Sequence, residues 1–270
     1  MSGLRIVAHG GGVQTTALLV LAATGRIDYQ TFLFANVGND SEHPGTLKYL
    51  HEIAMPYAAA NGITVHELHR IKRNGERETI WSRMHDHTSS VAIPVFLGST
   101  GPPSPRSCTA DFKIRVLGKW LKAHGATSET PATVAVGISV DEIERATSGR
   151  QQPYERIAYP LLDLRMRRDD CQQVIRHAGL PVPGKSACWF CPFQRPQAWR
   201  EMARDDPARF ERACQLEKHL QGKYARGKRD PIPVYLSRLR VPLRDAVSPA
   251  GDVLPGMENG PHCDNGWCMT

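Results

Sequence analysis

The sequence has no apolar run of the roughly 18 residues that a membrane-spanning helix needs. Its N-terminus shows none of the basic, apolar and small-residue pattern of a secretory leader, so a cytoplasmic protein is expected, with no membrane partner. Two common phosphate-binding signatures are missing as well. No Gly-Lys-Ser/Thr follows the glycine-rich stretch, which excludes a Walker A loop, and the third glycine falls too early for the dinucleotide fingerprint. No thioredoxin-type strand pattern surrounds the single Cys-x-x-Cys. With 41% hydrophobic and 23% charged residues, the composition is that of a globular chain. Its 270 residues fit one domain with an appendage, or two small domains. The net charge of +7 suits a polyanionic partner such as nucleic acid, and it suits an anionic nucleotide equally well.

The most informative stretch present is Gly10-Gly11-Gly12-Val13-Gln14-Thr15-Thr16. It follows a short apolar run, Leu4 to Ala8, and precedes a helix-like segment, Ala17 to Thr24. Strand, glycine turn and helix N-terminus together make an anion cradle. The first helical N–H groups lack intrahelical partners, and glycines let the backbone approach a phosphate closely. Thr15 and Thr16 are placed to cap the helix and to donate to a phosphate oxygen.

Further elements alternate. Thr31–Ala35 reads as a strand running into a polar turn, Asn36 to Glu42, that contains Asp40. Thr46 to Asn61 has helical spacing, Ile63 to Leu68 is a third strand, and Thr133 to Ile138 is a fourth, apolar on both faces as a parallel sheet requires. This alternation predicts an open α/β sheet with ligand at the carboxyl ends of its strands, where the glycine loop and the Asp40 turn would both lie.

Three other segments carry chemistry. Arg106-Ser107-Cys108 opens a helix reaching about Lys122, and Cys108 there reads as a metal ligand, a nucleophile or an ordinary buried residue. Gly137 to Arg145 ends a strand and delivers Asp141, Glu142 and Arg145. Two adjacent acids suit Mg2+ bridging phosphates, and on an α-helix Arg145 shares a face with Asp141, to pair with it or to clamp a phosphate. The plainer alternative is a capped helix with a surface ion pair. Cys188-Trp189-Phe190-Cys191 lets two sulfurs converge on one metal or cluster. Of the seven cysteines, Cys108, Cys188, Cys191 and Cys263 form the preferred ligand set, with Cys268 as substitute, whereas Cys171 and Cys214 read as structural. From Arg195 to Arg244 basic residues are interleaved with Trp199, Phe210 and Tyr224, which fits either a phosphate-tracking surface or a solvated helix with aromatics in the core.

The glycine loop resembles the PP-loop of ATP pyrophosphatases, Ser-Gly-Gly-x-Asp-Ser, with Gly11, Gly12 and Thr15 matching, Gly10 in place of Ser and Gln14 in place of Asp. Gly-Gly-Gly-Val-Gln-Thr, Cys108-Thr109-x-x-Phe112-Lys113, Gly137-Ile138-Ser139-x-Asp141-Glu142-x-x-Arg145 and Tyr159-Pro160-Leu161 resemble the PAPS reductase-like branch of the adenine nucleotide alpha hydrolase group, including its phage and bacterial members and DNA phosphorothioation enzymes. The likeness spans roughly residues 4 to 195. It implies a Rossmann-like, mostly parallel sheet with helices on both faces in a nucleotide-binding domain, residues 1–180. A Cys-rich, basic, mainly helical region, 181–270, completes the chain. The reaction implied is cleavage of ATP to AMP and pyrophosphate. Gly10, Gly11, Gly12, Gln14, Thr15, Thr16 and Asp40 would bind the nucleotide, and Asp141, Glu142 and Arg145 would act on the α-phosphate or its Mg2+. The resemblance further implies a [4Fe–4S] cluster, with Zn2+ as the alternative, and sulfur modification of nucleic acid: DNA by preference, tRNA otherwise. A cysteine desulfurase or other modification-complex protein is the implied partner. A sulfonucleotide (PAPS or APS) reductase is a rival, although its Glu-Cys-Gly-x-His tail is replaced here by His262-Cys263-Asp264. A nucleic-acid-binding subunit with a degenerate nucleotide site is another, since the PP-loop Asp is lost at Gln14.

Overall fold

A computed structural model describes residues 3–86, 91–146, 151–226 and 229–247. Strand β1 (Arg5–Ala8) leads through the glycines into helix α1 (Val13–Ala23). Strand β2 (Thr31–Asn36) is followed by a continuous helical run: α2 (Pro44–Tyr49), a π-helical turn (Leu50–Ala54) and α3 (Met55–Ala60). Then come β3 (Thr64–His69), α4 (Ile80–His85), β4 (Phe96–Leu97) and a helix that starts as α5 (Ser107–Thr109), passes a π-helical turn and ends as α6 (Arg115–Ala123). Strand β5 (Ala132–Val136), a 3₁₀ turn (Val140–Arg145) and β6 (Glu155–Ala158) follow, then α7 (Pro160–Asp163) and α8 (Arg168–His177). Helices α9 (Pro196–Asp205) and α10 (Pro207–Ala225), strand β7 (Val234–Tyr235) and α11 (Leu243–Ala246) complete the described chain.

The residues form two compact units. One takes in the chain up to Thr79 together with Thr109–Ala187, and the other takes in Ile80–Cys108 and the described chain from Cys188 onward. Segment Ile80–Cys108 therefore goes with the C-terminal part of the sequence and not with the residues that flank it on either side.

In the first unit five strands lie in the order β3-β2-β1-β5-β6, and all four pairings are parallel. This is the Rossmann-like α/β architecture that the alternating pattern predicts. Chain order reverses at β1, which has β2 on one side and β5 on the other. Such a switch point leaves a crevice at the carboxyl ends of two strands. The loop after β1 and Gly137 after β5 both open onto it.

Beyond Gln14, Thr15 and Thr16 in its first turn, helix α1 is apolar on every side, and Val13 to Ala22 are all buried, as a helix without a polar face must be. It packs on α8, in a core that includes Val7, Phe32, Phe34, Leu161 and Ile175. The opposite sheet face is covered by α6, whose Val116, Leu117 and Leu121 meet Ile6, Ala8, Leu33 and Val134. Each fully buried side chain of this size contributes about 1.5–3 kcal/mol, so α1 is anchored along its whole length and holds its N-terminus fixed.

In the second unit α10 is the central element. Phe210, Ala213, Leu216 and Leu220 are buried along it, and Trp199 of α9 is fully buried. Of the two readings of the basic segment, the core one holds for Trp199 and Phe210: helical spacing turns these aromatics inward while Arg204 and Arg212 are exposed.

Candidate nucleotide and thiol sites

The glycine loop is built to keep side chains out. Gly11 has φ +73°, and a Cβ there would meet Thr46 Cγ2 at 2.9 Å and Phe34 Cε2 at 3.3 Å. Gly137, approaching from β5, leaves so little room that a Cβ would lie 2.8 Å from Thr15 Cγ2 and 3.2 Å from the Thr15 nitrogen. The Ser186 hydroxyl donates to the Gly10 carbonyl and ties the loop to the end of the unit. Gly12 is the N-cap of α1, it brings no capping side chain, and the first turn has no acidic residue. The N–H groups there retain a positive partial charge suited to an anion.

The threonines depart from the sequence expectation. Thr15 Oγ1 donates to the Gly12 carbonyl at 3.2 Å rather than accepting from a helix N–H, and the Thr16 hydroxyl is wholly buried. Among the described residues no hydrogen-bond partner faces Thr16 Oγ1. Neither hydroxyl therefore caps a helix N–H.

Gln14 is buried and joins three elements. Its amide nitrogen donates to Glu142 Oε1 at 3.3 Å, and its oxygen accepts from Arg168 Nη1 at 3.3 Å. Arg145 pairs with Glu142 and both are almost fully buried. A pairing of Arg145 with Asp141 follows from α-helical spacing, but the chain takes a 3₁₀ turn here, which sets residues i and i+3 in line, so Arg145 faces Glu142 instead. Asp141 accepts from the Arg168 backbone N–H at 2.6 Å and from the Ser139 hydroxyl at 3.4 Å, with Arg167 3.8 Å away. Burial pushes the Glu142 carboxyl up to about 7, against the pull of Arg145 and Arg168.

Asp40 holds its own turn together. Thr79 Oγ1 donates to Asp40 Oδ2 at 2.9 Å and Ser41 Oγ to Oδ1 at 2.8 Å, across Gly38 at φ +126°.

Two residues here were not singled out by the sequence. Arg168 belongs to no motif of the sequence, and its proximity to Gln14 depends on α8 packing against α1. His9 follows β1 directly and is fully buried beside Phe32 and Phe34, its ring centroid 5.9 and 6.3 Å from theirs. Among the described residues neither ring nitrogen meets a partner in full hydrogen-bond geometry, and burial, opposed by the Thr15 backbone, lowers its pKa to about 4, so it is neutral at ordinary pH. A histidine one residue before a glycine loop gives no sequence signal of burial.

The second unit contains Cys108, Cys188 and Cys191, all partly exposed. Cys188 and Cys191 bracket a tight turn closed by the Cys191 N–H to the Cys188 carbonyl at 3.1 Å, and Gln194 braces it by donating to the Trp189 carbonyl at 2.6 Å. Cys108 is held by its N–H to Ala92 O at 2.8 Å. Among the described residues no three His, Cys, Asp or Glu side chains form a group ready to hold a metal, and the fourth expected ligand, Cys263, lies outside them, as do Cys268 and His262. Cys171 is fully buried and its thiol is pushed up to about 12 by burial, which fits a structural role. Cys214 is half-buried and also shifted upward, to about 11.

No protein-family model matches the chain, and no curated protein does. Among solved structures, the U34-tRNA thiolase NcsA from Methanococcus maripaludis with its [4Fe-4S] cluster is similar, with 11% identity and a TM-score of 0.44 over 82% of this chain and 72% of that one. Among the described residues no helix is long and apolar enough to cross a membrane.

Proposed function

We propose that the chain is a PP-loop ATP pyrophosphatase that activates a nucleic-acid acceptor for sulfur modification, with DNA phosphorothioation as the favoured outcome. The observation that carries this reading is the glycine cradle at the β1/β5 switch point, closed by Gly137 and flanked by Arg145 and Arg168. An acceptor oxygen attacks the α-phosphorus of ATP, the bond from that phosphorus to the bridging oxygen breaks, and pyrophosphate leaves with the electron pair. Sulfur then displaces AMP together with the activated oxygen. The α1 N-terminus and the loop N–H groups hold the pyrophosphate end, and the arginines offset charge on the α-phosphate, so catalysis rests on positioning and electrostatics.

Thiol donors of the kind found at Cys108, Cys188 and Cys191 fit an iron–sulfur cluster or zinc, and the Cys188–Cys191 turn supplies two ligands from one loop. A cluster bound there would supply a thiophilic centre for sulfur. For Mg2+, Asp141 and Glu142 are the carboxylates at hand. Both already accept from protein donors, so the ion would share them with Arg168, Gln14 and Arg145.

That engagement favours one second reading. A sulfonucleotide reductase binds its substrate's phosphates without cleaving ATP, and a site of two arginines and a neutral Gln14 suits such a substrate. The test supplies anaerobic protein with ATP and a sulfide source, then duplex DNA or tRNA, followed by nuclease digestion and mass spectrometry. Phosphorothioate dinucleotides support the DNA reading. A thiolated nucleoside moves the acceptor to tRNA; in a parallel reaction given PAPS or APS and a dithiol as two-electron reductant, sulfite release without either nucleic-acid product supports the reductase.

A further inference from the structure

The second unit bears a second feature, remote in sequence from the glycine loop. Trp81 and His85 of α4 lie one helical turn apart, with ring centroids 4.5 Å apart. His85 in turn stacks on His219 of α10 at 4.9 Å, the ring planes only 15° from parallel. On the other flank Trp81 meets Trp189 at 5.2 Å and Phe190 at 5.6 Å. The Arg212 guanidinium lies over both indoles, 4.8 Å from the Trp81 centroid and 5.2 Å from that of Trp189.

Two anchors make this array rigid. A His85 ring nitrogen hydrogen-bonds the Trp81 carbonyl at 2.9 Å, and His219 Nε2 bonds the Met84 carbonyl at 3.0 Å. Its base is buried and its top is open: Trp189 is within the core, Trp81 half-buried, and His85 and Arg212 exposed. A column meant only for core packing would not end in an exposed imidazole and an exposed guanidinium.

Charge along the column has one dominant sign. Arg212, His219 and Lys223 stand at i, i+7 and i+11 on one face of α10, which spaces the outer two by about 16 Å. Lys223 reaches the Asp86 carbonyl at the end of α4, and Arg83 lies on that same short helix. The Asp86 carboxylate acts on Lys223 with the opposite charge at this end. Flat aromatic faces between cations are what a strand of unpaired nucleotides needs: bases stack on the rings and phosphates meet the cations. A closed duplex offers no free base face to such a surface.

We infer that Trp81, His85, His219 and Arg212 form a docking platform for a single-stranded segment of nucleic acid, so that the acceptor is engaged with bases unpaired. This rests on the nucleic-acid reading proposed above. It narrows that reading by requiring a loop, an end or a locally opened strand. Trp189 and Phe190, which meet Trp81, are the two residues between Cys188 and Cys191, so the platform and the cysteine turn share that segment.

The test uses the full chain and fluorescence anisotropy with labelled oligo-dT, oligo-U and a blunt DNA duplex. His85→Ala and Arg212→Ala are exposed substitutions chosen to leave the fold intact, with circular dichroism and ATP affinity as controls. Each is expected to weaken binding of the single strands by about tenfold, the size of one lost base stack. The Arg212 variant is also expected to flatten the salt dependence, and the His85 variant to leave it unchanged. Single-strand affinities equal to wild type in both variants, or wild-type binding as tight to duplex as to single strands, overturn the platform and leave the nucleic-acid reading standing. Absence of wild-type binding to all three probes overturns both.

Discussion

Gln14 and Arg168, 154 residues apart in sequence, meet at 3.3 Å beneath the glycine loop, and Gln14 turns its amide nitrogen to Glu142. Residue 14 thus supplies both a donor and an acceptor to a buried network. A neutral amide can do both, whereas a carboxylate in the same place can only accept.

Changing Gln14→Glu places a second carboxylate against Glu142. The like charges are expected to push the Glu142 carboxyl higher still and to draw Arg168 away from any phosphate. Nucleotide affinity should fall at least tenfold, and stability should drop by about 1–3 kcal/mol for the broken buried hydrogen bond. Calorimetric titration and thermal melting on the same sample check both, and an unchanged affinity contradicts the placement of Arg168 at the site.

The glycines separate folding from binding. At Gly12 an added Cβ finds its nearest neighbour, Ser186 Cβ, at 3.8 Å, so Gly12→Ala should fold with little loss of stability yet exclude the phosphate. Gly137→Ala drives a methyl into Thr15 and should cost about 1–3 kcal/mol by overpacking, with nucleotide binding lost as well. Equal melting temperatures for the two variants would contradict the close approach of β5 to α1.

Two buried groups tilt the pH dependence of stability in opposite directions. His9 has its folded pKa lowered from 6.5 to about 4, so its stabilising contribution is complete above 6.5 and is lost as pH falls toward 4. Glu217 is buried in the second unit, where it accepts from the Leu236 and Leu243 N–H groups at 3.2 and 2.7 Å. Burial raises its pKa from 4.5 to about 7, so its contribution is complete below 4.5 and is lost as pH rises through 7. Each shift corresponds to about 3 kcal/mol over its range. Urea unfolding between pH 4 and 7.5 should show that His9→Phe removes the acid-side loss and Glu217→Gln the neutral-side loss. Parallel profiles for wild type and His9→Phe contradict the neutral, buried imidazole.

Metal content distinguishes the cysteines. Cys188→Ser and Cys191→Ser should each lose most of the iron or zinc of anaerobically purified protein, and Cys214→Ser should retain it, since that thiol is pushed up to about 11 and stays protonated. Elemental analysis with visible absorption tells iron–sulfur from zinc. Full metal content in both turn variants would remove the Cys188–Cys191 turn from the site.

Much of the fold is legible in the sequence because its signals are local. The apolar run into Gly10, the helical spacing over 46–61 and the all-apolar strand at Thr133 each depend on neighbouring residues only. Strand β6, with Arg156 among its four residues, carries no such pattern and forms because β5 offers it a free edge. The candidate site was legible as a set of segments and not as a network. Gln14 reads as a lost Asp, and its ties to Glu142 and Arg168 arise only when α8 packs on α1. Arg145 was placed by α-helical arithmetic on a stretch that the structure winds as a 3₁₀ turn. The ring cluster around Trp81 has no signal in the sequence, because its rings come from three segments, each with one or two of them.

The central claim is cleavage at the α-phosphate, and the products of ATP turnover test it most directly. Anaerobically purified protein, incubated with ATP with and without nucleic acid, is predicted to yield AMP and pyrophosphate in equal amounts, faster when nucleic acid is present. ADP and orthophosphate would contradict the account, because the cradle would then be presenting the γ-phosphate to attack.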